Sequence, residues 1–235
     1  MMEFTEHNRR AWNEVHRRRH ASHGHAFGLD ASKLDKLEPL AGVKVLHLQC
    51  ATGETSACLV ARGAVVTGVD IAEEAVAVAA HAVPEATFVV ADVHDLPASL
   101  REGAFALVVT EGGVLVWLHD LDLWAAGIAD ALRPGGRFFL SEEHPVAMCV
   151  DDQGRWTDDY FDESTSTDIG WEHFELTGEP ATETKHERFW RLGQIVTALA
   201  RAGLRIESLD ETPGSWRGTS ERIPGSFTLV ASKGG

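Results

Sequence analysis

From Val43 onward, short apolar runs alternate with stretches of helical spacing: VKVLHLQ, ETSACLVARG, AVVTGVD, AEEAVAVAAHAV and ATFVVAD follow one another. Apolar runs separated by helices predict parallel strands joined by crossovers, with both faces of the sheet buried. FALVVTE and RFFLSEE continue the series, with LDLWAAGIADALRPGG as the helix between them, stopped by its Pro-Gly-Gly. Near the end, RFWRLGQIVTALARAG predicts a helix, and LRIESLDE and SFTLVASK predict two strands. The loop between those strands is too short for a helical crossover, which is consistent with an antiparallel ending.

Two segments stand outside this rhythm. Residues 4–20 place Phe4, Ala11, Trp12 and Val15 on one stripe with a basic face opposite, the pattern of a packed N-terminal helical flap. LDKLEPLAG predicts a short helix ending at Pro39 and Gly42. Residues 146–186 are polar and acidic, with aromatic residues scattered through them and no clean period, as expected of a functional lid or a mobile segment. The expected organisation is one domain over 1–235: a flap at 1–40, a ligand-binding core at 43–145, the insertion at 146–186, and a C-terminal helix with the last two strands at 187–235.

Composition narrows the function. The 235 residues are 44% hydrophobic, enough for one sizeable core. Against 21 Lys and Arg stand 36 Asp and Glu, a net charge of −15 that repels phosphate backbones, so no nucleic-acid partner is expected. Cys50, Cys58 and Cys149 lack paired spacing and suggest neither a disulfide framework nor a zinc site. With no leader-like N-terminus and no apolar run of about 18–20 residues, a cytoplasmic protein without a membrane partner is expected. His16 and His20, with His23 and His25 behind them, have a spacing that can chelate zinc. Arg17, Arg18 and Arg19 lie among them and oppose a cation, so a solvated basic face and no metal is the reading adopted.

In a doubly wound sheet the turn after the first strand is where a ligand sits. Here it runs His47, Leu48, Gln49, Cys50, Ala51, Thr52, Gly53. A dinucleotide fingerprint needs three glycines so that backbone N–H groups can approach a pyrophosphate. Only Gly53 remains, which argues against a pyrophosphate ligand. Asp70 ends the second strand, 17 positions after Gly53, where a carboxylate can accept both ribose hydroxyls. Asp92 ends the third strand and can take an adenine amino group. Either aspartate alone can be a helix cap; together they suit an adenosine lying across the crevice.

VLHLQCATGETSACLVARGAVVTGVDIAEEAV resembles motif I and the following region of class I S-adenosylmethionine-dependent methyltransferases, and ALRPGGRFFLSEEHP resembles their fifth-strand region. The chain is similar in particular to a bacterial subgroup whose motif I reads HLQC and whose fifth strand leads into Glu-x-His-Pro. The resemblance implies a Rossmann-like fold: a doubly wound, seven-stranded, mostly parallel α/β sheet, last strand antiparallel, helices on both faces. It implies S-adenosylmethionine as cofactor, met by His47, Gln49, Cys50, Ala51, Gly53, Asp70, Ile71, Asp92 and Val93, with Glu111 near the sulfonium. His47 stands where the family has an acidic residue, and Gln49 and Ala51 replace its first two glycines.

Methyl transfer from a sulfonium is an in-line displacement, so the protein chiefly aligns the acceptor and excludes water. His144 is the candidate base, and Glu142 can orient it or bind a substrate cation. Strand-end backbone binding is the simpler role for both. Trp12, Trp117, Tyr160 and Trp171 are candidates for the wall of a small-molecule acceptor pocket, although aromatic residues at such spacings are more often core. Two other readings stand beside this one. A nicotinamide-dependent oxidoreductase shares the ribose carboxylate but needs the missing pyrophosphate loop. A non-catalytic or regulatory protein keeping the cofactor fold fits the altered motif I. Oligomeric state is not legible.

Overall fold

The computed structural model describes residues 2–18, 28–151, 153–171, 176, 178–214 and 222–235. Seven strands form the main sheet: β1 (Lys44–Leu48), β2 (Val65–Asp70), β3 (Thr87–Val90), β4 (Phe105–Glu111), β5 (Leu132–Glu143), β8 (Leu204–Pro213) and β9 (Pro224–Lys233). Their order is β3-β2-β1-β4-β5-β9-β8. β9 runs antiparallel to both of its neighbours and the remaining pairs are parallel. The expected Rossmann-like, seven-stranded sheet with an antiparallel last strand is therefore the fold of this chain.

Successive strand residues point to opposite faces, and both faces are apolar. Leu46, Leu48, Val108, Phe138 and Leu140 pack toward α5 (Leu121–Ala131) and α7 (Leu192–Arg201). Val45, Val66, Leu107, Val109 and Phe139 pack on the other side with Leu34 of α2 (Ala31–Asp35) and Leu59 of α3 (Glu54–Ala61). This two-sided burial is why the strands read as continuous apolar runs. α4 (Glu73–Ala82) joins β2 to β3.

Several boundaries differ from the sequence expectation. The helix expected over LDKLEPLAG is α2, which starts earlier, with Asp30 as its N-cap, and ends at Asp35. The helix expected from Arg188 begins at Leu192, because Arg188 belongs to a strand. The insertion contains α6 (Pro145–Met148) and an antiparallel pair, β6 (Thr165–Ile169) with β7 (Thr184–Arg188).

α1 (Met2–Arg18) ties this insertion to the core. The Asn8 amide donates to the His186 carbonyl at 2.8 Å and accepts from its N–H at 2.7 Å, acting as a substitute strand on the β7 edge. Buried Glu14 accepts the N–H groups of Thr182 and Glu183 at 3.0 Å each and pairs with Arg18 at 2.6 Å. On the other side, Arg9 pairs with Glu73 at 2.5 Å, and the Glu74 N–H donates to Asn13 at 3.0 Å.

His7 Nδ1 and His186 Nε2 are 2.8 Å apart, so one of the two rings must be neutral for the hydrogen bond to exist. Burial, followed by the charge of His7, holds His186 below the usual imidazole pKa. The unfolded chain then binds more protons, so this contact contributes fully above about pH 6.5 and is lost as pH falls. Amide exchange in β7, corrected for intrinsic rate, is expected to accelerate relative to β1 between about pH 7.5 and about pH 5.5. His186→Gln should flatten that dependence; an equal response in the variant would assign it elsewhere.

Candidate active site

The chain leaves β1 toward β2 and β3 on one side and returns to β4 on the other, so a crevice opens above the carboxyl ends of β1 and β4. The turn entering it is left-handed at Gln49 (φ 54), Ala51 (φ 45) and Gly53 (φ 88). Such backbone costs a residue with a side chain about 1–2 kcal/mol, so two of the three positions are strained. The turn is held by the Ala51 N–H donating to Asp70 Oδ2 at 2.9 Å and by Gln49 Nε2 donating to the Val114 carbonyl at 3.0 Å. Ala51→Gly relieves one strained position at some cost in unfolded-state entropy. A net gain of about 0.5–1 kcal/mol, or about 1–4 °C in Tm, is expected in a thermal melt; an unchanged or lower Tm would mean the turn is not strained there.

Four carboxylates stand at the strand ends. Asp70 is half-buried; Oδ2 accepts from Ala51 and Oδ1 from the Ala72 N–H at 2.9 Å. Burial pushes its carboxyl up, and the backbone N–H groups of Ala72, Ala51 and Ile71 only partly offset this. Burial raises the Asp92 carboxyl, but the hydrogen bonds and charge of His94, whose ring nitrogen lies 2.7 Å away, together with His119 bring it below the usual range. Glu111 accepts from Thr55 Oγ1 at 2.8 Å, and burial, with the charge of Glu142 adding, pushes it up to about 7. Buried Glu142 accepts the N–H groups of Val114 (2.9 Å), Leu115 (3.2 Å) and Glu143 (2.8 Å), yet its own burial still raises its pKa.

Not every residue expected at the site turns toward it. His47 is buried against α3, its Nδ1 2.8 Å from Ser56 Oγ, and burial pushes its pKa down to about 4. The Cys50 side chain is buried: a Cβ on Gly68 would lie 2.9 Å from its sulfur. Val93 belongs to the core, which leaves its backbone for a ligand, whereas Ile71 is half-buried beside Asp70.

Glu142 does not orient His144. His144 caps α6, Nδ1 accepting from the Val146 N–H at 3.1 Å, while Nε2 sits 2.9 Å from Glu211 Oε1, off the line of a good hydrogen bond. Burial lowers its pKa despite Glu211. With Nδ1 accepting and Nε2 facing a carboxylate, the ring has no free lone pair for proton removal. The strand-end backbone role is the one its geometry matches.

Trp12, Trp117 and Trp171 come together, with ring centroids 4.6–5.4 Å apart, and Lys185 Nζ lies 5.6 Å from the Trp171 ring centre. Tyr160 does not join them. Its ring packs on Phe161, in an open cleft of about 720 Å³ between α5 and α7 that includes none of the strand-end carboxylates. A smaller, apolar cavity of about 140 Å³ abuts Glu142 and is walled by Trp117, Pro145, Met148, Phe189 and Trp190. Sequence reasoning missed Met148, which lies where no period is readable, and missed Phe189 and Trp190, which it read as the first turn of a helix although they join β7 to α7. The Glu-His-Pro turn was the available pointer to Met148. His20, His23 and His25 lie outside the described residues.

Asp70, Asp92, Glu111 and Glu142 are all acidic, and the positive charge acting on Glu111, Lys33, is already paired with Asp30 at 3.7 Å. A diphosphate would meet repulsion here. A nucleoside bearing positive charge fits this donor set, with Asp70 and Asp92 for its adenosine and the acids of β4 and β5 for its cationic end.

Residues 46–140 match the sequence family described as methyltransferase domain. An uncharacterised methyltransferase of Synechocystis is 37% identical over 116 residues, 47% of this chain and 52% of that protein; the chain thus spans about half the length of that curated relative. Among solved structures, a Listeria monocytogenes protein described as a putative S-adenosylmethionine-dependent methyltransferase superposes with TM-score 0.67 at 22% identity, covering 87% of this chain and 97% of its own. An S-adenosylmethionine-dependent methyltransferase from Mesorhizobium loti gives 0.65 at 24%, covering 86% and 96%. No helix among the described residues is long and apolar enough to cross a membrane.

Proposed function

We propose that this chain, which carries a methyltransferase domain over residues 46–140, is an S-adenosylmethionine-dependent methyltransferase acting on a small-molecule acceptor in the cytoplasm. The observation that carries the reading is the ring of acidic strand ends beside a turn with a single glycine, a setting that suits a cationic adenosine and repels a diphosphate. The net charge of −15 supports a small molecule over a nucleic acid. The HLQC turn and the Glu-x-His-Pro ending of β5 support placement in the subgroup with those motifs.

Asp70 would hold the ribose, Asp92 and the Val93 backbone the adenine, and Gln49, Ala51 and Gly53 the backbone path along the methionyl part. When bound, S-adenosylmethionine supplies a methyl group on a positively charged sulfur. The residues around the cavity beside Glu142 orient an acceptor and exclude water, which is most of what such a displacement asks of a protein. His144 keeps α6 in place rather than moving a proton, so His144→Asn is expected to retain most turnover. In this reading the described parts of 146–186, Trp171 among them, form a lid that covers the acceptor side together with Trp117. Exchanging residues 151–183 should change acceptor choice and leave cofactor affinity within about threefold.

The test is transfer of labelled methyl from S-adenosylmethionine into the small-molecule fraction of an extract, with stoichiometric S-adenosylhomocysteine. Label appearing only in nucleic acid, or nowhere despite tight cofactor binding, would contradict the reading. The second outcome would favour a regulatory protein, a reading motivated by the altered turn.

A further inference from the structure

β1 ends in a group that carries no charge. His47 is 1% exposed, bonded to Ser56 through Nδ1, and its Nε2 has no hydrogen-bond partner. Next to β1 in the sheet is β4, where His47 pairs with Val109 and Leu48 with Thr110, so Glu111 emerges beside the turn. Its Oε1 takes the Thr55 hydroxyl and lies 3.9 Å from His47 Nε2. Among the described residues Oε2 has no partner, although the side chain is only 12% exposed. A mostly buried carboxylate with one oxygen left unbonded by the protein is placed to take a cation or donor that arrives from the crevice.

The groups facing Glu111 do not provide one. They are neutral His47 on β1, Glu54 and Thr55 on α3, Glu142 on β5 and Lys33 on α2, the last already paired with Asp30. We infer that Glu111 is the carboxylate that receives the α-ammonium group of the cofactor's methionyl end, standing in from β4 for the charge that β1 lacks. This rests on the proposed cofactor. It makes cofactor binding proton-linked: a group poised near neutrality gives up its proton when a cation settles against it.

Calorimetry on the full chain tests this with three probes: S-adenosylmethionine and S-adenosylhomocysteine, which carry the ammonium, and 5′-methylthioadenosine, which does not. Glu111→Gln keeps an acceptor for Thr55 but loses the charge. It is expected to weaken the first two about 10- to 100-fold and to leave 5′-methylthioadenosine within about twofold, which also shows that the variant is folded. Repeating the S-adenosylhomocysteine titration near pH 7 in buffers of different ionisation enthalpy should reveal proton release in the parent and none in the variant. Equal affinity of parent and variant for all three probes, or an equal loss for all three, overturns the assignment. Failure of the parent chain itself to bind S-adenosylmethionine or S-adenosylhomocysteine overturns the proposed function along with it.

Discussion

Asp70→Ala is expected to remove cofactor binding while leaving a folded but weakened domain. Its two oxygens accept the N–H groups of Ala51 and Ala72, so truncation leaves donors unpaired at the turn and at the start of α4. Each lost acceptor costs about 1–3 kcal/mol, and a drop in Tm of several degrees follows for a chain of this size. The strained backbone at Ala51 then has no anchor, and the ribose has no acceptor. Two charge-assisted hydrogen bonds correspond to a loss of affinity of at least about 100-fold, readable by calorimetry with S-adenosylhomocysteine. Asp70→Asn should be milder in stability, because one amide oxygen still accepts. Affinity within about threefold of the parent in the alanine variant would place the ribose elsewhere.

The second large effect belongs to the contact between α1 and the residues leading into β7. Glu14→Ala is expected to detach α1 from the residues leading into β7, since Thr182, Glu183 and Arg18 all lose their shared acceptor. Two unpaired backbone donors amount to about 2–4 kcal/mol of local stability. Hydrogen exchange over residues 182–188 should rise by about 30-fold or more, with protection of β1, β4 and β5 unchanged. Trp12 rides on the same helix and packs against Trp117 and Trp171, so acceptor KM is expected to rise more than cofactor Kd. Unaltered exchange in 182–188 would show that β7 is held by other contacts.

The fold was legible because both faces of the sheet are buried. Leu46 and Val45, or Phe138 and Phe139, face opposite layers and are equally apolar, so the strands stand out as unbroken runs. Asp70 and Asp92 were legible as strand-end acids. The insertion was not: every residue of β6 is exposed, and the strand pair is bounded by α1 contacts more than 160 positions away in sequence, through Asn8 and Glu14. No local period records such a contact. Side-chain direction was equally hidden. Glu142 and His144 share a face by alternation, yet Glu142 turns to the 113–115 backbone and His144 to Glu211. The turn is left-handed at 49 and 51 although neither residue is glycine, and contacts with Asp70 and Val114 hold it there.

The crevice at the β1 and β4 ends is claimed to hold an adenosine bearing a positively charged tail. A crystal structure of the chain with S-adenosylhomocysteine tests this directly. The account predicts ribose hydroxyls within about 2.7–3.2 Å of the Asp70 carboxylate and the adenine amino group at similar distance from Asp92. Density lying outside that crevice, or Asp70 still bonded only to Ala51 and Ala72 with the ligand elsewhere, would contradict it.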